Sequence, residues 1–179
     1  MSTATIALTS QQSTSNPDRG RVGMYCLIAA ESAIFTIFVV AYLFYVGQSL
    51  SGPTPRQVLR LPILNSICLI SSSLCIMLAL RALGKGARGA FLLWWAATIA
   101  LGGYFLFGTG VEWKRLIYSE GLTIQTNLFG TTFYSLVGLH AFHVLVGLVI
   151  LLIVLLLALA GAVKKEHTAR AEILSLYWH

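Results

Sequence analysis

Three groups able to hold or exchange a proton stand in stretches otherwise fit for lipid. Glu31 is the lone acid of the apolar run MYCLIAAESAIFTIFVVAYLFYV, residues 24–46, while His140 and His143 interrupt a segment, residues 121–163, with no Asp, Glu, Lys or Arg. An ionisable group at membrane depth costs at least ~2.5–3.5 kcal/mol on insertion scales, so such a residue faces protein or water and is a candidate for proton or ligand contacts. Glu31 lies roughly 10 Å along a helix axis from Met24 at 1.5 Å per residue. Two readings of it stay open: a carboxyl that exchanges protons or touches lipid, or a neutral, hydrogen-bonded acid that orients helix packing.

His140 and His143 are three residues apart and share a helix face, from which they could bond a neighbouring helix. Haem or copper ligation fails on ligand count, because two residues of one helix cannot flank a haem and the other histidines, His167 and His179, fall outside the long apolar runs. Glu112, next to Trp113, reads as an interfacial acid at the outer surface. There is no Gly-rich phosphate loop, no Ser-His-Asp set and no HExxH, so no catalytic, cofactor-binding or metal-binding residue is assigned to the chain. Cys26, Cys68 and Cys75 lie within apolar runs without a CxxC pair and read as small buried side chains.

The elements that must position these groups follow from composition. Of 179 residues 57% are hydrophobic and 10% charged, against about 25% charged in soluble domains. The twelve Lys and Arg fall singly or in pairs between apolar runs rather than along one face, which speaks for membrane topology and against a nucleic-acid partner. Residues 1–20 are polar and Ser/Thr-rich and read as a disordered tail without signal-peptide features. Spans are expected at about 22–46, 61–83, 89–112 and 128–163, with a helical domain over residues 21–179. The second span carries Asn65, Ser72 and Ala79 seven residues apart, a small polar stripe suited to close helix contact. Backbone in lipid must satisfy itself internally, and runs near twenty residues without alternation are helices rather than barrel strands. The fold class is thus all-α: a transmembrane helical bundle with four complete spans.

Basic residues split eight to four between the two sides. Arg19, Arg21, Arg81, Lys85, Arg88, Lys164, Lys165 and Arg170 lie on one, and Arg56, Arg60, Lys114 and Arg115 on the other. The positive-inside rule puts the first side, with the amino terminus, in the cytoplasm.

Taken in order, GMYCLIAAESAIF, LPILNSICLISSS, LGGYFLFGTGVEW, FGTTFYSLVGLHAFHVLVG and the terminal YWH resemble the cytochrome c oxidase subunit III family over roughly residues 23–179, in its short, five-helix bacterial form. The resemblance implies that Glu31 matches the family's carbodiimide-reactive membrane glutamate, that His140 and His143 fill its HxxH, and that Glu112 matches the acid of its third motif. These four are candidates for supporting proton uptake or touching lipid. It further implies a non-catalytic subunit of a proton-pumping terminal oxidase in a bacterial cytoplasmic membrane, docked on subunits I and II, holding phospholipid but no cofactor, with haem and copper in the partner subunits and cytochrome c as substrate of the whole complex.

A fifth helix starting near 174–179 is expected to continue past His179, because the family's YWHF motif opens one. Thr109 stands where the family often has Gln, and Ala141 where it often has Gly, which affects local packing. Quinol oxidases and nitric oxide reductases carry similar subunits, so the resemblance leaves donor and acceptor open. The rival from another class is a stand-alone proton-coupled transporter with Glu31 as carrier. Against it, the chain shows neither paired Pro or Gly breaks at midplane nor a second deep acid.

Overall fold

The computed structural model describes residues 17–45, 63–163 and 165–179, and these form five α-helices. They are α1 (Pro17–Tyr45), α2 (Ile63–Gly84), α3 (Arg88–Tyr118), α4 (Leu128–Leu159) and the short α5 (Thr168–Trp178), the last entered through a single 3₁₀ turn, Lys165–His167. No strand occurs among the described residues. Residues 1–16, Lys164, and the segment expected to be a loop and holding Arg56 and Arg60 lie outside the described residues. Helices α1 to α4 are long and apolar enough to cross a membrane, and the chain is a multi-pass membrane protein of the all-α bundle class.

Helix ends depart from the expected spans for definable reasons. α1 starts at Pro17, since proline suits a first helical position whose N–H needs no partner. α3 runs to Tyr118, six residues past Glu112: a charge ends a crossing but not a helix. α4 begins where the Asn127 side chain accepts from the Gly130 amide at 2.7 Å. It stops at Leu159 although apolar residues continue, because Gly161 adopts φ 82° and Ala162 N–H closes on the Leu157 carbonyl at 2.9 Å. Gly86, at φ 75°, ends α2 in the same way, with Ala87 N–H on the Ala82 carbonyl at 2.9 Å.

α2 and α3 make the most extensive contact; α4 packs on α3, and α1 packs mainly on α4 and α5. Two dry clusters result. One, near the α2–α3 turn, joins Ile76, Ala79, Phe91, Trp95, Leu151, Val154 and Ala171. The other, at the opposite end, joins Leu116, Leu122, Phe129, Phe133 and Tyr134.

Several polar groups within the spans find partners inside the bundle, as oil favours. Thr98, Thr109 and Thr132 bond back to the carbonyls of Trp94, Phe105 and Leu128, and Trp95 Nε1 donates from α3 to the Leu151 carbonyl of α4 at 2.9 Å. Arg21 pairs with Glu172 at 3.2 Å, and Arg88 donates to the Ala158 carbonyl at 2.7 Å. The start of α1, the α2–α3 turn, the end of α4 and the start of α5 therefore share one end of the bundle.

Candidate functional site

Between the two clusters the bundle is open, with a few polar side chains set in a mainly apolar wall. A groove of about 440 Å³ is bounded by α1, α2, α4 and α5 and lined by Glu31, Phe35, Ser73, His140, His143 and the end of α5. A second cavity of about 340 Å³ lies toward the other end, between Asn65, Phe105, Thr109, Glu112, Trp113 and Phe133; Phe35 and His140 line both.

α1 turns one stripe toward this layer: Ile28, Glu31, Phe35, Phe38 and Tyr42 recur every three or four residues and are half-buried. That spacing brings Glu31 against α4. Its Oε2 lies 2.9 Å from His143 Nδ1, and the two side chains keep 28% and 23% of their surface exposed. The approach is close but not aligned, since Nδ1 makes no directed ring N–H bond.

The other ring nitrogen, Nε2, lies 3.1 Å from the Tyr177 carbonyl on α5. The Tyr177 ring stacks on His143 with centroids 4.3 Å apart and planes 20° from parallel. His143 is thus held on both faces of its chemistry, an acid at one nitrogen and a carbonyl at the other.

His140, one turn earlier, has a different setting. Phe35 stands edge-on to both histidines at 6.0 Å, and Phe105 stands edge-on to His140 at 5.6 Å. The histidine pair of the sequence is therefore one polar contact and one aromatic-packed ring. Glu112 stands apart from Glu31. It accepts from Arg115 Nη2 at 2.6 Å, one helical turn along α3, and borders the second cavity. Thr109, beside it, directs its hydroxyl to the Phe105 carbonyl at 2.9 Å.

Sequence reasoning assigned no chemistry to Tyr177, Trp178 or Ser72. Trp178 Nε1 donates to Ser72 Oγ at 3.0 Å, and Ser72 Oγ donates to the Leu69 carbonyl at 2.6 Å. Glycines make room for this docking. A Cβ on Gly102 would stand 2.5 Å from Trp178 Cη2, and one on Gly147 would stand 3.0 Å from Trp178 Cε3. The polar stripe of α2 faces inward accordingly: Ser72 and Ala79 are fully buried, and Asn65 lies over Gly108. The visible signal was the cluster of aromatic and imidazole residues at 177–179. Among the described residues no three of His, Cys, Asp and Glu come together as a metal-binding group.

Comparison with known proteins agrees with this architecture. Residues 10–179 match the family described as cytochrome c oxidase subunit III. The chain is 37% identical to cytochrome c oxidase subunit 3 of Synechocystis sp., over 92% of this chain and 70% of that protein. It is 28% identical to cytochrome c oxidase subunit 3 of Alkalihalophilus pseudofirmus, over 96% of this chain and 87% of that protein. With the cytochrome bo(3) ubiquinol oxidase subunit 3 of Pseudomonas aeruginosa it shares 28% identity, over 88% and 76% of the two chains.

Proposed function

The chain belongs to the cytochrome c oxidase subunit III family, and from that premise we propose that it supports proton uptake and turnover stability in a haem-copper terminal oxidase without an active site of its own. Its setting is a bacterial cytoplasmic membrane with the amino terminus inside. Its partners there are subunits I and II, which carry the haem and copper, together with bound phospholipid. The assembled complex oxidises cytochrome c and reduces oxygen.

The observation that carries this reading is the Glu31–His143 contact at 2.9 Å, on a groove wall with no further acid or fixed base. An acid that joins α1 to α4 inside the bundle suits a supporting role beside another subunit's proton path. A carrier, by contrast, needs a route with successive exchange groups.

Replacing Glu31 by Gln or Ala in the intact complex should leave haem content unchanged while shortening the time over which activity is sustained. Loss of haem from a fully assembled complex contradicts the reading. Quinol oxidation is the second reading, favoured by the similarity to a protein named as a ubiquinol oxidase subunit. Co-purification with a copper-bearing subunit II and oxidation of cytochrome c decide for the first; turnover with quinol alone decides for the second.

A further inference from the structure

We propose that Ser72 on α2 and Trp178 on α5 are the positioning pair of the Glu31–His143 contact. The serine hydroxyl anchors the indole, and the anchored helix presents the Tyr177 carbonyl and ring that hold the imidazole 2.9 Å from the acid. The inference rests on the proposed supporting role for its meaning in turnover, but not for its geometry.

A serine inside a helix can give its hydrogen to a carbonyl three or four residues back, and Ser72 does so at Leu69, 2.6 Å away. That bond fixes the hydroxyl and leaves the oxygen free to accept. Trp178 Nε1, 106 residues later in the chain, donates to it at 3.0 Å. Ser72 is fully buried. In such surroundings a polar contact ties helices together, and an indole N–H left without its acceptor is costly.

Shape gives the indole one seat. It lies against Gly102 of α3 and Gly147 of α4, where added carbons would come within 2.5 and 3.0 Å of the ring, while its nitrogen is held from α2. Three helices therefore fix this end of α5. The other end is fixed less firmly: Arg21 and Glu172 pair at 3.2 Å with 46% and 47% of their side chains exposed, and exposed ion pairs contribute little.

Tyr177 precedes Trp178, so what seats the indole also sets Tyr177. Its carbonyl lies 3.1 Å from His143 Nε2, and its ring stacks on the imidazole with centroids 4.3 Å apart. With the ring plane and one nitrogen held, the other nitrogen stays beside Glu31 Oε2. α1 packs mainly on α4 and α5, so Ser72 acts on the acid through α5 and His143.

The test measures how fast a membrane-permeant carbodiimide, a reagent for carboxylic acids, modifies Glu31 in the resting intact complex, read by mass spectrometry of the Glu31 peptide. His143→Phe supplies the rate for a broken contact. It should differ from wild type by about threefold or more, the low end of coupling within one bonded network. Ser72→Ala and Trp178→Phe each remove one partner of the same bond and should move the rate in the same direction, by amounts similar to each other. Thr132→Val, which loses a buried hydroxyl bonded within α4 at the far end of the bundle, should keep the wild-type rate. Sustained activity should shorten in Ser72→Ala as in Glu31→Gln. A wild-type rate in Ser72→Ala overturns the proposal, as does a wild-type rate in His143→Phe or an equal shift in Thr132→Val. Should Trp178→Phe fail to assemble, Ser72→Ala decides alone. A shifted rate with undiminished sustained activity upholds the positioning and overturns the supporting role instead.

Discussion

At the residue scale, His140 and His143 look alike in sequence and differ in what they touch. His143 holds Glu31 and the Tyr177 carbonyl, whereas His140 sits edge-on between Phe35 and Phe105. Replacing His140 by Phe keeps an aromatic ring in an aromatic setting and should change thermal stability of the purified complex by under about 1.5 kcal/mol, the usual bound for a near-isosteric swap. Replacing His143 by Leu strands the Tyr177 carbonyl and the Glu31 acid at once, and leaving a buried polar group unmatched costs about 1–3 kcal/mol. Measured side by side, the two variants should therefore separate clearly; equal losses would mean that His140 has polar work the packing does not reveal. The sequence could nominate both residues by their rarity in an apolar run. It could not rank them, because the ranking depends on α5, which meets only one of the two.

At the scale of elements, long apolar runs made the four spans legible, since oil demands continuous apolarity and internal backbone pairing. The places where charge alone misled are instructive. Glu112 and Arg115 end the lipid crossing of α3, yet the helix continues to Tyr118 and uses its i,i+3 spacing to pair them at 2.6 Å. α5 starts at Thr168, several residues before the start near 174 that the family's YWHF motif implied, because its first turns, with Arg170 and Glu172, form no apolar run that would mark them. The docking of α5 was not legible at all, because it depends on what is missing from α3 and α4: Trp178 lies where side chains on Gly102 and Gly147 would have been. Gly102→Ala should displace Trp178, break its 3.0 Å bond to Ser72 and destabilise the α5 contact by about 1–3 kcal/mol, the usual range for overpacking. Gly103→Ala is the matched control, with nothing within 4 Å of its added carbon. Faster proteolysis after α4 in the first variant and not in the second is the expected result; equal protection in both would show that Trp178 is not wedged in place.

For the whole molecule, the decisive asymmetry is between its inside and its outside. No residue in the apolar window of α1 is fully buried by this chain, and Ile34, Ile37, Val40 and Phe44 stand largely exposed. Such a surface is stable only against lipid or an apolar partner, which suits a subunit rather than a self-sufficient bundle. The two ends differ in charge as well. One end gathers Arg21, Arg81, Lys85 and Arg88, and the other carries Lys114 and Arg115 beside Glu112 and Glu120. Basic residues in short connections remain on the cytoplasmic side, so the α2–α3 turn should face the cytoplasm and the α3–α4 connection the outside. Single cysteines at Lys85 and at Glu120, in a background with Cys26, Cys68 and Cys75 replaced by Ser or Ala, give the direct test. An impermeant thiol reagent added to intact cells should label the Glu120 position and leave the Lys85 position unreacted until the membrane is opened. The reverse pattern would invert the topology and place Glu31, near the Arg21 end of α1, in the outer half, where it could not assist uptake from the cytoplasm.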